Sequence, residues 1–143
     1  MSFDLKIENG NLKIENGDLQ KVVDSEKLIQ DILKVSLTDA GSNPLHPWYG
    51  SFISKSIIGS SQDLDLLVTI GKNQLITALD NLKRLQQLQV KSNQVVSADE
   101  QIATILNIYV TRSVYDPRQI DVEISTLTKG LKPITTAFQV STI

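Results

Sequence analysis

Few residues in this 143-residue chain have side chains that could do chemistry. Its single histidine, His46, lies between Leu45 and Pro47 and close to Trp48, and there is no cysteine. A lone imidazole needs a nucleophile or further ligands to act as base or metal ligand, so His46 reads as a packed or hydrogen-bonded loop residue. Without cysteine there are no disulfides, thiolate metal sites or cysteine nucleophiles. Sixteen Asp and Glu residues leave one catalytic option by inventory, the carboxylate pair of a glycosidase. That chemistry needs two carboxyls about 5 to 9.5 Å apart across a cleft, and spacing along the chain singles out no such pair. The seven glycines stand singly, without the spacing of a phosphate-binding loop. Trp48, Tyr49 and Phe52 cluster in a chain with only 5% aromatic residues. Exposed, they would anchor an interface; buried, they would pin their loop to the core. The expectation is that no residue is catalytic and none holds a cofactor or metal.

Composition narrows the partners. The chain is 41% hydrophobic and 21% charged, as in ordinary globular domains, and its length suits one core. A net charge of −2 with scattered Lys and Arg offers no basic stripe for a phosphate backbone, so nucleic acid is not expected. No apolar run approaches the roughly 20 residues that span a bilayer, and the first residues lack a basic-then-apolar signal layout. The expectation is no membrane, and a protein that stays where it is made.

The elements that would position these residues begin with a repeat. Asp4-Leu-Lys-Ile-Glu-Asn-Gly10 is echoed by Asn11-Leu-Lys-Ile-Glu-Asn-Gly17, and Asp18-Leu-Gln-Lys-Val-Val23 follows. Alternating side chains and the turn-forming pairs Asn9-Gly10 and Asn16-Gly17 predict short strands joined by tight turns, in a β-prone arm over residues 1–24. Residues 25–143 then form a single α+β domain. Asp24 or Ser25 would cap a helix carrying Leu28, Ile29, Ile32 and Leu33 and running to about Leu37. A turn-rich loop leads through Pro44 to Trp48 and Ser51. Helical spacing resumes from about Ser61 to Lys91, as one helix or as two divided near Gly71-Lys72, because glycine weakens a helix interior by roughly 1 kcal/mol. From Ile102 the residues are β-formers. Ile120, Val122, Ile124 and Thr126 then alternate with Asp121, Glu123 and Ser125 as in a half-buried antiparallel strand, and Ile134 to Val140 forms a last strand. The fold class is α+β, a small antiparallel or mixed sheet packed with two to four helices.

This layout resembles the baseplate wedge and sheath-initiator family of contractile phage tails and related injection systems, also called lysozyme-like baseplate wedge proteins. The resemblance covers roughly residues 3 to 140. It is carried by Leu37-Thr38 leading to Tyr49-Gly50-Ser51, and by Asp116-Pro117-Arg118 before the alternating strand. It implies a fold like the strand-exchanging inner domain of the tail sheath protein, and a structural virion protein without enzymatic activity, assembled in the host cytoplasm into the tail baseplate. The implied partners are baseplate wedge proteins and the tail sheath, with tail tube or hub proteins nearby. By position in the family layout, Asp39, Trp48 and Tyr49 are the wedge-contact candidates. Ile120, Val122, Ile124, Ile134, Phe138 and Val140 are the sheath-contact candidates, acting through strand addition. The family's acidic and basic docking motif is missing, since the loop Asp39-Ala-Gly-Ser-Asn-Pro44 has no arginine. Two other readings stand beside this one: a peptidoglycan hydrolase using a carboxylate pair, and a binding or chaperone module whose helices expose an apolar patch.

Overall fold

The computed structural model describes residues 2–53, 55 and 63–141. Its N-terminal repeat is a closed ring of three two-stranded pairs. β2 (Ile7–Glu8) pairs with β3 (Asn11–Leu12), and β4 (Ile14–Glu15) with β5 (Asp18–Leu19). Asn9 and Gly10 lie at φ 52° and 80°, Asn16 and Gly17 at 54° and 82°. Two successive positive φ values give the two-residue turn whose twist suits a hairpin. The third pair, β1 (Asp4–Leu5) with β6 (Lys21–Val22), has no turn, because the chain enters and leaves the ring there. Three backbone bonds close the centre. The amide of Lys6 donates to the carbonyl of Gln20 (2.8 Å), that of Lys13 to Lys6 (2.9 Å) and that of Gln20 to Lys13 (3.0 Å). Donors and acceptors thus recur every seven residues, and the sequence period becomes a pseudo-threefold axis.

The helix α1 (Asp24–Leu37) follows directly. Neither expected residue caps it. The capping position is Val23, and the carboxylate of Asp24 instead accepts a bond from the Ser97 hydroxyl (2.7 Å). The second helix, α2 (Leu64–Lys91), runs unbroken for 28 residues through Gly71, which is buried, so tertiary packing outweighs the glycine's local cost. The expected start at Ser61 lies outside the described residues. A single 3₁₀ turn, Ala98–Glu100, then leads into the sheet. Ser97 and Glu100 bond each other's backbone amides, and the buried Glu100 carboxylate also takes the Ser2 hydroxyl (2.6 Å).

Three strands, β7 (Ile102–Arg112), β8 (Gln119–Thr128) and β9 (Pro133–Ser141), form an antiparallel sheet in that spatial order. Helix α2 packs over β7, α1 packs over β9, and the helices touch each other. Leu28, Ile32 and Val35 of α1 and Leu75, Leu79 and Leu82 of α2 meet Ile108, Val110, Ile120, Val122, Ile124, Ile134 and Val140 in one core. The helices cover one sheet face. On the other, Tyr109, Glu123 and Ala137 align across the strands and are exposed, with no covering layer among the described residues.

Candidate functional site

The two edges of the sheet differ in kind. Along β7 the pairing with β8 slips twice, between Ile102 and Thr104 and again between Ile105 and Asn107, leaving Ala103 and Leu106 as extra residues. Bulges bend and twist an edge, which obstructs the addition of a further strand. The opposite edge, β9, pairs with β8 residue for residue from Gln119 with Ser141 to Leu127 with Pro133, without a slip. Its sequence, Pro-Ile-Thr-Thr-Ala-Phe-Gln-Val-Ser, has no charged residue, its only proline is the first residue, and no described strand lies on its outer side. Among the described residues, β9 shows no bulge, charge or interior proline of the kind that protects an edge strand.

This geometry divides the sheath-contact candidates. Ile120, Val122 and Ile124 belong to the central strand, which is paired on both sides, and their side chains are at most 1% exposed. They are core residues, and neither their backbone nor their side chains can receive an added strand; the alternation that singled them out is the mark of burial. Ile134, Phe138 and Val140 lie on β9 itself, with Ile134 and Val140 in the core and Phe138 half-buried beside it. An incoming strand would meet their backbone and cover Phe138.

The loop after α1 is held by its ends. Ser51 N–H donates to Thr38 O (2.8 Å), Ala40 N–H to Ser51 O (3.0 Å), and the Ser51 hydroxyl to Ser36 O (2.6 Å). At Gly50, φ is +111° and a Cβ would stand 2.5 Å from the Thr38 carbonyl oxygen, so only glycine fits. The separated motifs Leu37-Thr38 and Tyr49-Gly50-Ser51 are therefore the two sides of one closure. It splits the aromatic cluster. Trp48 and Phe52 are exposed with Leu45, whereas Tyr49 packs against the core, where burial pushes its phenol pKa up. Of the wedge-contact candidates, Asp39 and Trp48 face solvent and Tyr49 is turned largely inward. His46 stacks at a tilt on Trp48, with ring centres 5.4 Å apart.

A polar hub that sequence reasoning missed fastens the ring to α1. The Gln30 side chain donates to Asp4 Oδ2 (2.8 Å) and Leu5 O (2.8 Å) and accepts from Ile7 N–H (3.0 Å). Lys34 also bonds Asp4. Burial alone would raise the Asp4 pKa, but the bonds from Lys34 and Gln30 and the Lys34 charge hold it below the ordinary 3.8. Nothing in the composition of α1 distinguishes these residues. The only signal was polar Gln30 and Lys34 at helical spacing above a repeat that needed an anchor. Among the described residues no group of three His, Cys, Asp or Glu is placed to hold a metal ion. On the surface, the bond from Lys13 holds the Glu8 carboxyl below its ordinary range, and the backbone and side-chain bonds from Arg118 do the same for Asp116. No helix among the described residues is long and apolar enough to cross a membrane.

No protein-family model matches this sequence, and no curated protein matches it. A solved structure does. The crystal structure of a Geobacter sulfurreducens protein provisionally assigned as a tail lysozyme superposes with a TM-score of 0.58 at 12% identity, over 81% of this chain and 88% of that one. The two share a fold. The α+β arrangement expected from the sequence is thus seen in the structure and in this neighbour alike.

Proposed function

We propose that the protein is a structural component of a contractile-tail baseplate that joins the wedge to the first sheath ring and starts sheath assembly by accepting an arm as an added strand on β9. The observation that carries this reading is the contrast between the edges, one bulged twice and the other regular, uncharged and, among the described residues, flanked by no further strand. In β-strand addition the backbone supplies affinity and alternate side chains set register. On the wedge side the reading assigns contact to the loop bearing Asp39 and Trp48, with Tyr49 holding it to the core. In this reading the protein performs no turnover and works in the tail.

The test is site-specific photocrosslinking with a contractile-tail sheath protein from the same genome. A benzophenone side chain at Gln139 on β9 should capture sheath, while the same group at Thr104 on the bulged edge should not. Capture from both or from neither would overturn the assignment of the edge. The tail-lysozyme assignment of the structural neighbour keeps peptidoglycan hydrolysis as a second reading. Clearing of a peptidoglycan suspension by the purified chain would favour it.

A further inference from the structure

We infer that the open edge of β9 is also a self-association surface: without an arriving arm, β9 pairs antiparallel with β9 of a second copy about a twofold axis at Ala137. The inference rests on the same edge as the proposed function but not on the identity of the arm.

The argument begins with self-complementarity. In an antiparallel pair of identical strands, the register that matches all of residues 134–140 places Ala137 opposite its own copy. Ile134 then faces Val140 and Thr136 faces Phe138 on the covered face, while Thr135 faces Gln139 on the open one. Each is an apolar, a β-branched with aromatic, or a hydrogen-bonding pair, the combinations that stabilise neighbouring strands. No like charges meet, because β9 has none. Any register shifted from this one leaves apolar residues of 134–140 without a partner.

A second feature is covered by the same operation. Lys27, Asp31 and Lys34 of α1 line a recess with Leu82, Leu85 and Gln86 of α2, so this flank of α1 faces α2. By helical spacing, Ile29 and Leu33 lie on the opposite flank, where both are half-buried and line a groove shared with Lys6, Ile7, Asn9 and Gly10 of the ring. Since α1 packs over β9, a twofold axis perpendicular to the sheet brings the two α1 helices alongside each other on the same face, with Ile29 and Leu33 of each copy turned toward the other. One symmetric contact therefore covers the strand edge and the mouth of the groove between α1 and the ring, as an isologous interface does. The pairing occupies the groups that an incoming strand would use, so dimer and arm compete.

Sedimentation of the full chain across a dilution series tests this. Wild type should move from twice its 15.8 kDa mass toward the monomer on dilution. Ala137 is exposed, so Ala137→Lys and Ala137→Glu leave the core intact but set two like charges about 5 Å apart across the axis. Each variant alone should dimerise at least tenfold more weakly, and an equimolar mixture should recover the dimer. A wild type that stays monomeric up to its solubility limit, or a dimer indifferent to both variants and to mixing, overturns the inference. A monomer that still captures sheath would remove only the dimer. A responsive dimer that never captures sheath would remove only the proposed function.

Discussion

Replacing Gln30 with methionine keeps the length of the side chain and removes all three of its hydrogen bonds to the ring. Each such bond contributes about 0.5 to 1.5 kcal/mol net, and the ring's groups are partly reached by water once released. The expected loss is about 2 kcal/mol in ring docking, roughly 30-fold in the equilibrium for local opening. Amide hydrogen exchange reads that equilibrium directly. The amides of Lys6, Lys13 and Gln20, which close the ring, should exchange roughly 30-fold faster in Gln30→Met, while those of β8 keep their wild-type protection. Two results would refute the reasoning. Unchanged exchange at the three ring amides would mean that the triangle of backbone bonds holds without the helix. Equal acceleration in β8 would mean that ring and core open as one unit.

Other outcomes follow from the same geometry. Gly50→Ala forces a Cβ against the Thr38 carbonyl at a positive φ and should lower unfolding stability by about 2 kcal/mol or more in a denaturant titration. Ile124→Ala empties a fully buried site in the central strand and should cost about 2 to 5 kcal/mol in the same assay. Asp4 has a lowered pKa in the folded chain, so its contribution is present above the ordinary 3.8 and is lost as pH falls through the lowered value. Exchange at the ring amides should therefore rise as pH drops through that window, after correction for intrinsic rates, and Asp4→Asn should flatten the rise. The groups around Asp4 that set this response are Lys34 and Gln30, with Asp31, Lys27 and Tyr49 beside them.

The alternation from Ile120 to Thr126 gave the central strand because burial on one face leaves a period of two. The Asn-Gly pairs gave both hairpin turns because few other dipeptides tolerate two positive φ values. Closure of the hairpins into a ring was hidden, since its central bonds run between backbone groups that no side chain reports. The bulges left a trace that is clear in retrospect. Ile102, Ile105 and Ile108 are spaced by three within a stretch of β-formers, and each bulge adds one residue to the usual step of two. The order β7, β8, β9 was not encoded in periodicity, so the alternating residues of β8 were assigned to a surface they help bury. Gln30 was missed because a polar residue on a helix has no signature of its partner, which here lies 23 to 26 residues away.

The ring has a bearing on the gene as well. Leu5-Lys-Ile-Glu-Asn-Gly10 and Leu12-Lys-Ile-Glu-Asn-Gly17 are identical, the kind of tandem duplication that replication slippage expands or contracts. A change of one copy leaves the reading frame and local hairpin chemistry intact, so neither would expose the error. The triangle would: Lys6, Lys13 and Gln20 satisfy one another only as a set of three. A chain with one unit fewer or more could not join β1 to β6 with the same geometry, nor present Asp4 to Gln30. The fold thereby counts its own repeats, and the tally is read out at the first helix.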